Sequence, residues 1–106
     1  MNARDKSILI KFKELLSKRV RVNRMFLFGS RARGDDESGS DMDVLVILDD
    51  ELGPEERDYV SDCAWEAGYR EGIVVVPVAF SRAEWQSGPE RHSLLAKAVK
   101  AEGIAI

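Results

Sequence analysis

Two short segments of this 106-residue chain combine residue types that can act on a charged ligand: Gly29-Ser30 and Asp41-Met42-Asp43. Residues 25–28 form an apolar run directly before Gly29, which predicts a buried strand that ends in a turn. Glycine lets a backbone approach a ligand closely, and the N–H groups at the start of a following helix bind anions. Gly29-Ser30 is therefore suited to the phosphates of a nucleotide, although a Gly-Ser turn alone is a common feature.

Asp41 and Asp43 open a second predicted strand. Because side chains alternate across a strand, both carboxylates point to the same face, about 7 Å apart along the chain. Such a pair can bind Mg²⁺, which prefers oxygen ligands and usually keeps substrate phosphates in its shell. The metal would then neutralise charge on a transferring phosphate. The alternative is that Asp41 caps a turn and Asp43 is an exposed strand residue without a ligand.

The spacing of the two segments adds information that neither carries alone. Ten residues separate Ser30 from Asp41, and the wider strings are Phe28-Gly-Ser-Arg-Ala-Arg-Gly and Ser40-Asp-Met-Asp-Val. This pattern resembles the signature of the DNA polymerase beta-type nucleotidyltransferase superfamily. Within it, the small size and the ten-residue spacing are similar to the minimal nucleotidyltransferases, many of which are encoded beside a HEPN-domain partner as toxin–antitoxin pairs. The tail at residues 102–104 also resembles a common ending of these domains, so the resemblance covers nearly the whole chain.

The resemblance implies roles for individual residues. It assigns nucleotide binding to four residues of the first segment, namely Gly29, Ser30, Arg31 and Arg33. It assigns catalysis and Mg²⁺ binding to Asp41 and Asp43. For the two arginines, plain surface charge is an equal alternative, because an arginine near a helix start is not diagnostic.

The chain departs from the family pattern at one position. Active members usually carry a third acidic residue on the next core strand, whereas residues 73–80 contain none. Asp49 shares the face of Asp41 but lies too far along the strand to join its metal shell. Glu71 could substitute only if a bend brought it inward. An apolar residue there would leave a second metal ion poorly held and the attacking hydroxyl without a base. The alternative is that two carboxylates suffice, as ligands for a single Mg²⁺.

Two functions follow as hypotheses. The first is Mg²⁺-dependent transfer of a nucleoside monophosphate from ATP or another NTP to an acceptor hydroxyl, by resemblance a tyrosine of a HEPN-type toxin, which would make this chain the antitoxin. The second is a module that kept the fold and nucleotide affinity but neutralises its partner by contact alone. A polymerase or repair role is disfavoured, because no second domain is present to grip a template. A homo-oligomer remains an open alternative.

Composition supports a single domain over residues 1–106 and a cytosolic protein. The chain is 44% hydrophobic and 33% charged, which is typical of soluble globular proteins, and its N-terminus lacks an apolar signal core. Residues 1–33 hold ten of the 16 Lys and Arg but two of the 19 acids. That basic end favours a polyanionic ligand or, alternatively, is a solvated helix surface. The acidic remainder argues against nucleic acid as the main partner. Cys63, the single cysteine, is expected to be a buried thiol.

The elements that must position the two segments follow from periodicity and breakers. We predict a helix over residues 5–20, strands over 25–28 and 41–48, and a short helix from Ser30 to Arg33 that Gly34 breaks. Residues 35–40 read as a loop. A second long helix starts at Gly53-Pro54 and ends near Ala67, before Gly68.

The later part completes an α/β (α+β) fold with a small mixed sheet flanked by helices, the fold of the polymerase beta-type nucleotidyltransferases by resemblance. Residues 73–80 predict a third strand, which lies at a sheet edge or is locally irregular at Pro77, because proline cannot donate to a ladder. A last helix opens at residues 87–90, and residues 104–106 predict a terminal strand. Trp65 is expected in the core, Trp85 in the core or facing a partner, and His92 is assigned no role.

Overall fold

The computed structural model describes residues 1–34, 41–88 and 93–106. Within these ranges the elements are, in order, α1 (Ala3–Ser17), β1 (Val22–Phe28), α2 (Ser30–Arg33), β2 (Met42–Leu48), α3 (Pro54–Tyr69), β3 (Val75–Ser81), α4 (Arg82–Ser87), α5 (Leu94–Glu102) and β4 (Ile104–Ala105). Among the helices so described, none is long and apolar enough to cross a membrane.

The four strands form one sheet in the order β3-β2-β1-β4. β1 runs antiparallel to both β2 and β4, whereas β2 and β3 are parallel and are joined through α3. The predicted mixed sheet is therefore confirmed. β3 lies at an edge, as Pro77 indicated, because a residue without an N–H cannot complete an interior ladder.

The larger core lies between one face of the sheet and helices α1 and α3. α1 contributes a stripe at helical spacing, with Ile8, Leu9, Phe12, Leu15 and Leu16 buried. β2 contributes its alternate residues, with Met42, Val44, Val46 and Leu48 almost fully buried. Burying one such aliphatic or aromatic side chain stabilises the fold by about 1.5–3 kcal/mol. This face fixes the register of β2, because a shift of one residue would move the whole set to the opposite face and bring Asp43 into this core.

The opposite face of the sheet carries a smaller core. Leu45 and Ile47 of β2 are buried there with Val99 of α5. Phe80 and Trp85 pack against them from β3 and α4. The alternation of β2 therefore places Asp43 on this second face, in line with Leu45 and Ile47.

Several element boundaries differ from the prediction. α1 ends at Ser17, and α3 continues through Gly68 to Tyr69. Gly68 does not end the helix; it is glycine because the chain that enters β3 passes close by, and a Cβ there would stand 2.0 Å from the carbonyl oxygen of Ile73. The last helix begins at Leu94 instead of residues 87–90, and α4 was not predicted. Residues 35–40, predicted as a loop, and His92 lie outside the described residues.

The expectation that Trp65 is a core residue is wrong. Its side chain is 65% exposed and contacts Tyr69, which is also exposed, with ring centroids 5.5 Å apart. The buried stripe of α3 is built from Val60, Cys63, Ala64 and Ala67 instead, and it includes the expected buried thiol. Small residues are preferred on that stripe because α3 packs closely on β3, whereas Trp65 lies on the solvent side of the helix.

Candidate functional site

The end of β1 and the start of β2 bring the two sequence segments together. These strands are antiparallel, with Phe28 paired to Asp43. The chain passes directly from Phe28 into Gly29-Ser30, so the turn and the Asp41–Asp43 pair meet where β1 ends and β2 begins. The structure thus brings together two segments that are ten residues apart in sequence.

Gly29 is required at its position for two separate reasons. Its backbone lies at φ 76° and ψ −157°, a region that is essentially restricted to glycine. In addition, a Cβ on Gly29 would stand 2.6 Å from Oδ2 of Asp43. The Asp43 carboxylate therefore lies directly against the backbone of the turn, which is the close approach that a shared ligand needs.

Ser30 begins α2, a single helical turn that ends at Gly34 in the left-handed conformation. The first N–H groups of a helix have no intrahelical partner and carry partial positive charge. Ser30 is partly exposed, and its hydroxyl makes no hydrogen bond to any residue in the described ranges. Backbone N–H groups and one hydroxyl are therefore available beside the Asp43 carboxylate for a phosphate group.

The Asp43 carboxyl is perturbed by its surroundings. Partial burial raises the pKa of Asp43 above its usual value, and the negative charge of Asp41 raises it further. A nearby cation would reverse both effects, because it stabilises the ionised carboxylate. The folded chain thus holds Asp43 in a state whose charge an added cation would compensate.

The oxygen donors present fit a divalent cation such as Mg²⁺. Asp41 and Asp43 supply two hard carboxylate ligands at a surface that remains open. Within residues 1–34, 41–88 and 93–106, no group of three or more acidic, histidine or cysteine side chains forms a metal cluster. A cation bound by two carboxylates completes its shell with water and substrate phosphate oxygens, which is the usual arrangement for Mg²⁺.

Arg31 does not face the turn. Its side chain is fully buried and donates to Oδ1 of Asp5 at 2.9 Å, and the Asp5 side chain is 2% exposed. This ion pair ties α2 to the first turn of α1. Arg33 is half-exposed and donates to Glu102 at 2.9 Å, which links α2 to the end of α5.

Asp5 is a residue that the sequence analysis missed. It lies three, four and seven residues before Ile8, Leu9 and Phe12, so it belongs to the buried stripe of α1. A carboxylate on an apolar stripe requires a buried partner. That position was the available signal, and the partner in the structure is Arg31, next to the Gly29-Ser30 turn.

The structure also shows which residues of the next strand lie beside the carboxylate pair. β3 pairs with β2 in parallel, and the residue in register with Asp43 is Val76. Val74 precedes it, and its carbonyl accepts a hydrogen bond from the N–H of Met42. Asp49 lies at the other end of β2, where it contacts Asn23. Glu71 is exposed in the turn after α3.

Comparison with known proteins matches this geometry to one family. The sequence profile of the family described as "Nucleotidyltransferase domain" matches residues 9–101, which is most of the chain. A Methanocaldococcus jannaschii protein named "Putative protein adenylyltransferase MJ1379" is 38% identical over 55 residues, which cover 52% of this chain and 55% of that protein. The chain thus spans about half the length of this curated relative.

Solved structures show the same fold. A toxin-antitoxin complex with AMP-PNP contains a chain that matches at a TM-score of 0.64 and 22% identity, over 91% of this chain and 69% of the other. The structure of a tri-AMPylated Shewanella oneidensis HEPN toxin in complex with an MNT antitoxin matches at a TM-score of 0.58 and 18% identity, over 96% and 70% of the two chains. These likenesses confirm the predicted nucleotidyltransferase fold.

Proposed function

Because this chain belongs to the nucleotidyltransferase domain family, we propose that it transfers a nucleoside monophosphate, most simply AMP from ATP, to a hydroxyl group of a protein partner. The observation that carries the proposal is the contact between the two sequence segments. Asp43 lies against the Gly29 backbone, so a ligand of the turn is also a ligand of the carboxylate pair.

The proposed roles follow from the chemistry of each group. The N–H groups and hydroxyl of Gly29-Ser30 bind the β- and γ-phosphates. Asp41 and Asp43 hold Mg²⁺, which when bound neutralises charge on the triphosphate and on the leaving pyrophosphate. Arg31 positions the turn through Asp5 and does not itself contact the ligand. Arg33, which is half-exposed, is the arginine that can reach a phosphate.

The reaction balances without another reagent. The acceptor oxygen forms a bond to the α-phosphorus, the bond from that phosphorus to the bridging oxygen breaks, and pyrophosphate leaves. The proton of the acceptor hydroxyl passes to solvent, because Val76 occupies the place in register with Asp43 where a third carboxylate would act.

The proposed acceptor is a tyrosine on a HEPN-type toxin, with this chain as the antitoxin. The support is that one structural neighbour of the same fold occurs in a toxin-antitoxin complex with AMP-PNP, and another in a complex of an MNT antitoxin with a tri-AMPylated HEPN toxin. We also place the reaction in the cytosol, on the basis of a composition typical of soluble globular proteins.

Label transfer tests the proposal. The protein is incubated with Mg²⁺, the protein encoded beside it, and ATP labelled at either the α- or the γ-phosphate. We expect the α-label to appear on the partner and the γ-label to remain in pyrophosphate. The Asp41→Asn/Asp43→Asn variant keeps the side-chain volumes but loses the metal ligands, and its rate should fall on the order of a thousandfold.

The matched control removes two carboxylates elsewhere. Asp58 and Asp62 are exposed on α3, so Asp58→Asn/Asp62→Asn changes the net charge equally and should transfer label at the wild-type rate. Transfer of the γ-label, or equal loss in both double variants, would contradict nucleotidyl transfer at this site.

A second candidate function is a binding module that neutralises its partner by contact alone. Val76, paired with Asp43 in β3, favours it, because an apolar residue there supplies neither a base nor a second metal ligand. If the chain acts in this way, we expect that the complex forms and that the partner's activity is blocked without any label transfer, even at saturating ATP and Mg²⁺.

Val76→Asp separates the two candidates. Val76 is partly exposed, so a carboxylate can be accommodated at that position. If an acid in register with Asp43 is what limits turnover, the variant should transfer label faster than the wild-type chain. A wild-type chain that transfers label and gains nothing from Val76→Asp would show that two carboxylates suffice.

A further inference from the structure

A groove of about 500 Å³ lies on the sheet face that carries α4 and α5. Its apolar floor includes Ile47 of β2 and Ala96 of α5. Its walls are polar or aromatic, formed by Asn23, Arg24, Arg82, Trp85, Gln86 and Lys100. The volume is within the range of small-molecule sites, roughly 300–1,000 Å³.

Positive charge is concentrated in this groove. Arg24, Arg82 and Lys100 line it, and no acidic residue in the described ranges does so. Arg82 lies 3.7 Å from Asp49, whereas neither Arg24 nor Lys100 forms an ion pair with any carboxylate in those ranges. Since the chain as a whole has a net charge of −3, three cations around one concave surface are not explained by composition. Such a concave basic surface concentrates anions.

Two residues of the groove, Asn23 and Arg82, contact the same carboxylate, that of Asp49. The register of β1 against β2 shifts between Val22 and Arg24, which indicates a bulge at Asn23. Bulges re-aim side chains and are common beside functional sites. Asn23 donates from Nδ2 to Asp49 Oδ1 at 3.1 Å, and the same oxygen lies beside Arg82. Asp49 thus fixes two of the groove residues.

The remaining wall supplies a flat surface and amides. Trp85 packs on Phe80, with ring centroids 5.5 Å apart, and is partly exposed. Gln86 and Asn23 add amide groups that can donate or accept. Cations beside an aromatic ring and amides match the phosphate, base face and base edge of a nucleotide. We propose that this groove binds a nucleotide, either free or as a unit of a single-stranded nucleic acid.

This is a second site, separate from the Gly29-Ser30 turn. Arg24 precedes Phe28 by four residues, and Ile47 follows Asp43 by four, so the groove lies about 13 Å from the carboxylate pair along the strands. The sheet is the same, but the opposite ends of β1 and β2 are used. An acidic peptide could satisfy the cations, but it would leave the ring and the amides without a role.

Fluorescence of Trp85 reports on this groove directly. The chain has two tryptophans, and Trp65→Phe leaves Trp85 as the single indole; Trp65 is exposed, so the fold should tolerate the change. Asp41→Asn/Asp43→Asn is added to this background, and titrations are performed without metal, so that binding at the carboxylate pair does not contribute. The probes are AMP, a hexanucleotide of single-stranded RNA and a hexaglutamate peptide.

We expect a saturable change of Trp85 emission with the nucleotide probes. Arg24→Ala/Lys100→Ala should raise the probe concentration at the midpoint roughly tenfold or more, because each substitution removes a charge-assisted contact to phosphate. The matched control Lys11→Ala/Lys18→Ala removes two exposed cations outside the groove, one on α1 and one directly after its end, and should leave the midpoint unchanged. Similar midpoints for AMP and the hexanucleotide assign the groove to a free nucleotide, and a much tighter hexanucleotide assigns it to a strand.

Three results would overturn the proposal. They are no change of Trp85 emission at millimolar probe, a midpoint that is equal in the groove variant and its control, and hexaglutamate binding as tightly as the hexanucleotide. The last result would assign the groove to an acidic protein segment instead. Because the carboxylate pair is absent from this background, failure here leaves the proposed transfer reaction unaffected, and the reverse also holds.

Discussion

Replacing Gly29 with alanine should lower the rate of label transfer strongly and the stability of the fold only moderately. At φ 76° and ψ −157°, a non-glycine residue costs about 1–3 kcal/mol of backbone strain. The new Cβ would also stand 2.6 Å from Oδ2 of Asp43, so this carboxylate must move away from the turn. A displacement approaching 1 Å in a positioning group can cost roughly a hundredfold in rate, and we expect a loss of that order in label transfer.

Gly34 provides the matched control. Its φ is also positive, at 78°, but ψ is 8° and a Cβ there would meet no atom within 4 Å among the described residues. Gly34→Ala should therefore lower stability by about 1–2 kcal/mol, comparable to Gly29→Ala. It should leave the rate of transfer at the wild-type level, because Asp43 is not displaced.

Two measurements check the pair. Thermal unfolding should place both Tm values below wild type by roughly 4–8 °C for each kcal/mol lost. Label transfer at a temperature where all three proteins are folded should separate them. The reasoning fails if Gly29→Ala retains transfer within a factor of about two, or if Gly34→Ala loses as much activity as Gly29→Ala.

Three further predictions concern buried groups. Asp43→Asn should raise Tm at neutral pH, because burial and Asp41 raise the pKa of Asp43 in the folded chain and its ionisation therefore destabilises the fold. The gain in Tm should vanish below about pH 4, where Asp43 is protonated even in the unfolded chain, and a lower Tm of the variant at pH 7 would contradict this. In urea denaturation, Arg31→Met should lower the free energy of unfolding by about 3–5 kcal/mol, because it leaves the Asp5 carboxylate buried and unpaired. The double variant Arg31→Met/Asp5→Leu should recover much of this loss, and an equal loss in both would exclude the ion pair as the cause. Burial also raises the pKa of the Cys63 thiol, so a thiol reagent at pH 7 should react only as the chain unfolds. The extent of labelling should follow the urea unfolding curve of the wild-type protein, and rapid labelling of the native protein would show that the thiol is accessible.

Much of the fold was predictable because local patterns and tertiary packing agree. The helical spacing of the apolar stripe on α1 indicated a helix, and the short run rich in Val, Leu and Ile in β2 indicated a strand. Pro77 identified an edge strand for a covalent reason, its missing N–H. Such features are set within a few residues of sequence and need no knowledge of neighbours.

The errors have a common cause. Trp65 was placed in the core on the average behaviour of its type, but a helix buries one stripe, and on α3 that stripe is formed by smaller residues. α4 was missed because a helix of six residues has a weak periodic signal; its capping serine, Ser81, was the cue that the sequence offered. The contacts of a residue in the folded chain, and not the average preference of its type, determine whether it is buried.

The sequence by itself determined the candidate site residues, Gly29, Ser30, Asp41 and Asp43, because their types and spacing are local properties of the chain. Only the tertiary structure decided that the Asp43 carboxylate lies against Gly29, that Val76 stands in register with Asp43, and that Arg31 is buried against Asp5. The physical reason is that each of these contacts joins different elements. Pairing of β1, β2 and β3 and packing of α1 against α2 set such contacts, and no pattern within one segment encodes them.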